Sequence, residues 1–298
     1  MEIKNMISVL VASGVANGLL YGLIALGVVV LSKAANAVNF AQGDVVALGG
    51  FVAFTTLKIF GFGILATIGV VLLVALLVGC LVYVALKRLL KPEHANGLLI
   101  GSIGLSFLIK GVIRLIWGGQ GDYLATPPMF SGAPLILMGG KVVIPLQYLV
   151  MTAGAIVILV VFSLFFRFSR LGLFMRSVAD NARAAMIVGI PTSFVLCSAV
   201  VLSIVIAAIA GFLLAPATLL YPDMGFSLFL KGFAAAIVGG ISSLPGAIVG
   251  GVLLGLVESI VSGYVSSRAQ DLSAFVLIFS MLLFFPRGLF GEKKRRAV

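Results

Sequence analysis

Apolar residues run in long, nearly uninterrupted stretches, at about 6–31, 44–60, 62–86, 97–117, 145–166, 192–215 and 272–286. Most approach the roughly 20 residues that a helix needs to cross a bilayer, and polar residues collect between the stretches. One further apolar stretch, 229–262, is broken at Ser242-Ser243-Leu244-Pro245-Gly246. Proline and glycine interrupt helices, so this stretch is predicted to enter and return as two short helices or a re-entrant pair. The pattern predicts an all-α fold: a polytopic helical membrane protein with broken or re-entrant helices, forming one domain over 1–298. Met6 to Leu31, followed by Ala35-Asn36-Ala37, has the outline of a secretion signal. An h-region is only about 7–15 residues long, so this run is read as a retained first helix.

Charge orients the spans. Lys87, Arg88 and Lys91 follow one apolar run, and Arg167, Arg170, Arg176 and Arg183 follow another. Arg287, Lys293, Lys294, Arg295 and Arg296 close the chain. Short cytoplasmic loops carry such excess lysine and arginine, which places 87–91, about 167–191 and the tail inside. The loop 118–144, with Lys141 as its one basic residue, is then outside, as are 263–271 and the N-terminus by parity. The compartment implied is the inner (cytoplasmic) membrane, crossed several times.

Composition agrees. Of 298 residues 62% are hydrophobic and 10% charged, with a mean hydropathy of +1.28, whereas soluble domains carry about 25% charged residues. The net charge of +11 sits in the loop clusters, so no nucleic-acid partner is expected. Cys80 and Cys197 lie in separate apolar runs and are read as small buried packing residues. There is no GxxxxGK[ST] phosphate cradle, and His94 stands alone in the loop Lys91-Pro92-Glu93-His94. No catalytic residues, metal site or cofactor are expected.

Polar groups among apolar runs carry more information, because each is costly in hydrocarbon. Asn36, Asn39, Gln42 and Asp44 form one dense group; Gly239, Gly240, Ser242 and Ser243 form a second. Polar, glycine-rich breaks in both halves of a transporter point to a midplane site. Both groups are therefore candidate path-lining residues. For the first, a plain cytoplasmic loop with Asp44 capping the next helix stands as the alternative. Lys231 and Glu258 occupy the two arms of the broken stretch, where they can pair, and Lys110 and Arg114 read as snorkelling to the outer interface. Gly239, Gly240, Gly246, Gly250, Gly251 and Gly255 follow a small-residue pattern suited to close helix packing. Residues 171–191 read as one short amphipathic helix, with Arg176 and Asp180 paired at i,i+4 and Gly189 and Pro191 ending it. Such a helix lies on the membrane or docks a cytoplasmic partner.

Several motifs together resemble the LivH family, the branched-chain amino acid permeases of ABC transporters. They are Asn17-Gly18 with Tyr21 and Leu23-Ile24-Ala25-Leu26-Gly27, Val38 to Asp44, Arg170-Leu171-Gly172 with Arg176 to Asp180 and Gly189-Ile190, Lys231 to Gly240 with Ser243 to Ala247, and Phe285 to Gly291. Gln42 and Asp44 stand where the family usually has His and Glu. The resemblance implies a transport subunit rather than an enzyme. Its implied partners are a second membrane permease subunit (LivM-like or identical), two cytoplasmic ATPase subunits, an external solute-binding protein and a small-molecule substrate. It also implies that Arg176, Ala179, Asp180, Asn181 and Gly189 lie in the segment that couples to the ATPases. Similar permeases serve urea, short amides and aromatic acids, which leaves the solute open. An autonomous channel or ion-coupled secondary transporter is the competing class; it would need buried ionisable residues, for which Asp44 and Glu258 are the inner acidic candidates.

Overall fold

The structure, a computed structural model, describes residues 3–35, 38–90, 95–118, 123–130, 132, 134–137, 142–241, 243–267, 269–285 and 288–291. Asn36, His94, Ser242 and the basic tail from 292 onward lie outside the described residues. The elements in chain order are α1 (Ile3–Ala35), α2 (Gln42–Phe54) continued by a π turn (Thr55–Ile59), α3 (Ile64–Leu86) and α4 (Ala95–Trp117). A small antiparallel hairpin, β1 (Leu135–Leu137) and β2 (Val142–Ile144), follows. Then come α5 (Leu146–Phe168), α6 (Arg170–Asp180), α7 (Ala182–Ile187), α8 (Thr192–Leu214), a 3₁₀ turn (Ala215–Ala217), α9 (Met224–Gly239), α10 (Leu244–Tyr264) and α11 (Ala269–Phe284). Among the described residues six helices (α1, α3, α4, α5, α8 and α10) are long and apolar enough to cross a bilayer; α9 and most of α11 are shorter apolar helices.

α1 is the axis of the bundle. Leu20, Leu23, Ile24, Leu26 and Val29 point to different sides and are all buried, as expected of a helix that is apolar all round. Gly14, Gly18 and Gly22 recur every four residues, and on each a Cβ would press on the backbone or side chains of α10 near Gly255, Val252 and Ile248. The pairing runs antiparallel, and Ser13 Oγ bonds Ser259 Oγ at 2.9 Å along it. The small-residue pattern of α10 serves two faces: Gly251 and Gly255 meet α1, and Gly246 and Gly250 meet α9 at Gly239 and Ala235. Glycine seams let helices approach where lipid supplies no hydrophobic drive to associate.

α2 is the other interior element. Twelve of its 13 residues are buried, yet at 1.5 Å per residue it measures only about 20 Å, short of the ~30 Å hydrocarbon core. It begins beside Ile24, part-way along α1, because Gln42 Nε2 donates to the Ile24 carbonyl at 2.9 Å. It runs parallel to α4 in constant register: Phe40 meets Ser102, Asp44 meets Ser106 and Thr55 meets Trp117, each 62 residues apart in sequence. The stretch at 44–60 is thus a half-helix inside protein, completed by a π turn at which Thr55 and Thr56 hydroxyls bond back to Phe51 and Val52 carbonyls.

The break in 229–262 falls between α9 and α10. Gly240 turns the chain at φ +102°, Ser243 Oγ accepts the Gly246 amide at 3.1 Å, and Gly239 packs against Gly246. The carbonyls at the end of α9 would be orphans, but Leu289 N and Phe290 N donate to Val238 O and Gly239 O at 2.9 and 3.0 Å. The segment after α11 therefore ends on the side where α9 turns into α10. On the opposite side, Leu124 and Leu220 form a backbone bridge between the loops after α4 and α8. Large side chains around the rim, such as Leu65, Leu81, Leu115 and Phe284, are mostly exposed, a belt that water would not tolerate. Cys80, expected inside, lies exposed on this outer face of α3.

Candidate functional site

Three groups of polar residues stand out. The first gathers at the start of α2. Asn39, Gln42 and Asp44 are all buried, and the structure brings them together as expected. Asn39 Oδ1 accepts the Ala41 amide at 3.0 Å, turning the chain into α2. Gln42 ties α2 to two neighbours: besides the bond to Ile24, its Oε1 accepts from Ser203 Oγ of α8 at 3.3 Å. Asp44 is not a helix cap. Its carboxylate accepts a bond from Ser106 Oγ and lies 3.9 Å from Lys110 Nζ, so it reaches across to α4. Lys110 and Arg114 accordingly do not snorkel free of the protein; Arg114 Nη2 donates to both carboxylate oxygens of Asp223, at 2.7 and 2.9 Å. Among the described residues Asn39 Nδ2 and Asp44 Oδ1 are buried without a hydrogen-bond partner.

Gly239, Gly240 and Ser243 also come together, but at the packed turn between α9 and α10. Asp44 lies against Gly225 in the first turn of α9, whereas Gly239 ends that helix, roughly 20 Å further along its axis. The two breaks therefore occupy opposite ends of α9. The polar groups at Gly240 and Ser243 are already used by the turn and by the α10 cap.

The second group, largely unforeseen, surrounds a half-open cavity of about 260 Å³ between α1, α9, the segment after α8 and the start of α11. At its base Lys231 Nζ contacts Glu258 Oε2 at 3.2 Å. The same oxygen accepts from Tyr21 Oη at 2.9 Å and Gln270 Nε2 at 3.3 Å. Glu258 Oε1, also buried, has no hydrogen-bond partner among the described residues. Asn17, Thr218 and Ser227 add neutral polar groups to the wall, and Leu214, Met224 and Leu228 add an apolar side. Lys231 and Glu258 do pair, as their positions on the two arms suggested. Gln270 and Ser227 give no signal in the sequence, because a lone neutral polar residue near a helix end does not reveal which cavity it faces, and Tyr21 stands out there only as part of the family-like motif.

The third group is the arginine-rich segment. It forms two helices, not one. Asn181 adopts extended backbone (φ −157°, ψ 99°), ending α6, and its Oδ1 accepts the Ala184 amide at 3.0 Å to start α7. Ser169 caps α6 in the same way. Met175, Val178 and Ala185 hold the pair to the bundle, while Met186, Ile187 and Val188 are 53, 87 and 80% exposed. Ala179, Asp180, Asn181 and Gly189 are exposed too. Arg176 does not pair with Asp180; its guanidinium turns back to the Arg167 carbonyl at 3.3 Å and lies over Phe166.

Residues 10–285 match the family described as "Branched-chain amino acid transport system / permease component". The chain belongs to this permease family. The high-affinity branched-chain amino acid permease protein LivH of Escherichia coli K12 is 30% identical over 296 residues, covering 94% of each chain. BraD of Pseudomonas aeruginosa, named as a permease protein of the same kind, is 29% identical over 292 residues, again covering 94% of each. Among solved structures, PsaBC from Streptococcus pneumoniae in complex with Fab matches at a TM-score of 0.53 with 12% identity, covering 92% of this chain and 91% of that one. That likeness is of fold alone. Among the described residues no group of three or more His, Cys, Asp or Glu is arranged to hold a metal ion.

Proposed function

We propose that the permease is the membrane-spanning subunit of an ATP-driven importer, carrying branched-chain amino acids or a related small polar solute across the inner membrane. The observation that carries this reading is the α6–α7 pair, which turns Met186, Ile187 and Val188 outward beside an arginine-rich loop. Three exposed apolar residues at a helix end beside a run of arginines suit docking to a protein, here an ATPase subunit. Two such ATPases, a second membrane subunit of the same or a similar kind and an external solute-binding protein complete the assembly. Nucleotide-driven movement of 170–189 passes to the bundle through the contacts of α6 with α5, α8 and α1, and alternately opens a path on either side.

The path follows the polar start of α2. Asn39 Nδ2 and Asp44 Oδ1, buried and without a hydrogen bond among the described residues, mark where water or a solute group completes the hydrogen bonding. Gly239, Gly240 and Ser243 serve the path indirectly, by fixing the turn that lets α9 and α10 move as one. The ion-coupled reading loses support here, since Asp44 and Glu258 each face a lysine and neither acid stands alone to carry a coupling proton.

The test is uptake of labelled leucine into vesicles holding the permease with its co-expressed partners. Uptake stops when ATP is withdrawn although the proton gradient is kept, and Ile187→Asp with Val188→Asp abolishes co-purification of the ATPase. Uptake that persists without ATP would overturn the proposal.

A further inference from the structure

The cavity above Lys231 has a chemistry more specific than polarity. Among the described residues that line it, Lys231 is the only one with a formal charge; the others are hydroxyl, amide or apolar side chains. The acid that balances it, Glu258, is 2% exposed and stands behind it, outside the lining. A buried charge pair is costly to assemble. A hydrophobic pair would fill the same space, so an arrangement that presents the cation to the cavity and hides the anion needs a reason. Tyr21 and Gln270 strengthen it by donating to the same Glu258 oxygen that holds Lys231, and the Tyr21 ring lies 5.6 Å from the ammonium. The lysine is thereby held on a short tether at the cavity base, although a free lysine side chain is mobile.

Size and shape narrow the ligand. About 260 Å³ falls just below the roughly 300–1,000 Å³ of sites for drug-sized molecules, suiting a smaller solute of amino-acid size. Leu214, Ala217, Met224 and Leu228 contribute the apolar part of the lining. The cavity runs from the end of α8 and the start of α9 to Lys231, midway along α9, and its rim at Leu214 lies the length of α8, ~33 Å at 1.5 Å per residue, from the α6–α7 end. With the arginine-rich loop taken as cytoplasmic, that rim is on the side from which an importer receives its solute.

We infer that this cavity is a solute site for a small aliphatic carboxylate, in which Lys231 receives the carboxylate and Glu258, Tyr21 and Gln270 position Lys231. Asn17 and Thr218 meet the solute's remaining polar group, and the apolar part of the lining takes its side chain. The inference rests on the importer reading and goes beyond it: the permease itself selects for a negative charge, rather than leaving all selection to a binding protein. Neutral solutes such as urea, amides or sugars would leave the ammonium without an anion to receive and pass poorly.

The experiment uses the complete importer in vesicles, with leucine, leucinamide (which keeps the amine and side chain but lacks the carboxylate), urea and ribose as probes. Wild type takes up leucine well above the other three. Lys231→Met combined with Glu258→Gln removes both charges together, so that neither is stranded, and its thermal midpoint is read beside the wild type's. Loss of a charge-assisted hydrogen bond cuts leucine uptake roughly 10- to 100-fold, while traces of leucinamide uptake stay unchanged. Lys231→Arg with Glu258 intact keeps the charge and recovers uptake to within about tenfold of wild type. The inference fails if the folded double variant carries leucine normally, if it loses all probes equally, or if wild type prefers urea or ribose. Wild type that moves none of the four with ATP present overturns the importer reading itself, and the inference falls with it.

Discussion

Gly255 and Gly69 are both helical glycines in apolar runs, yet their surroundings differ completely. A Cβ on Gly255 would meet the backbone of Gly14 and Gly18, whereas one on Gly69 would meet nothing within 4 Å. Gly255→Ala must push α1 aside, at a cost of about 1–3 kcal/mol for overpacking. Gly69→Ala should be neutral or stabilise by up to ~1 kcal/mol through helix propensity. Unfolding midpoints in detergent check the pair. Asp44 gives a second contrast. Lys110→Ala leaves its buried carboxylate facing only Ser106, and because breaking a buried pair is more costly than deleting it, the single variant should melt earlier than Lys110→Ala with Asp44→Asn. Equal midpoints for the two would show that the lysine does not stabilise the acid.

Asn181 decides the geometry of the protruding segment. As an N-cap it contributes about 1 kcal/mol to α7, a loss that alanine incurs in full and glycine only in small part. Asn181→Ala also removes the reason for extended backbone there, allowing α6 and α7 to join as one longer helix. ATPase activity of the assembled importer should fall with Asn181→Ala and stay near wild type with Asn181→Gly, while membrane insertion is unchanged in both. At this scale much was legible in advance. The apolar runs at 62–86, 97–117, 145–166 and 192–215 match α3, α4, α5 and α8 within two residues at each end, because lipid imposes both length and hydrophobicity. The break within 229–262 followed from Pro245 and its glycines. What escaped notice depended on distant partners. The pairing of Asp44 with Lys110 joins residues on separate helices, and the cavity is assembled from five segments whose proximity no local pattern encodes. The division at Asn181 was missed because the amphipathic pattern continues across it, and only the backbone dihedrals reveal the stop.

The molecule as a whole has two distinguishable ends, one bearing α6–α7 and the other the cavity. Labelling in intact cells checks the assignment of those ends. In a background lacking Cys80 and Cys197, a cysteine at Asp180 should react only with a membrane-permeant reagent. One at Tyr221, beside the cavity, should react with an impermeant reagent. The reverse pattern would invert the orientation and remove the basis for an importer.

The glycine seam between α1 and α10 joins nearly opposite ends of the polypeptide. During synthesis the ribosome must add roughly 230 residues after α1 before α10 emerges, which at ~5–20 residues per second takes on the order of 10–50 s. For that interval the first helix sits in the bilayer with its closest neighbour unmade. A chain cut short before residue 244 would leave that notched surface open to whichever small-residue helix drifts by, so premature termination here should yield misassembled species rather than a smaller working fold.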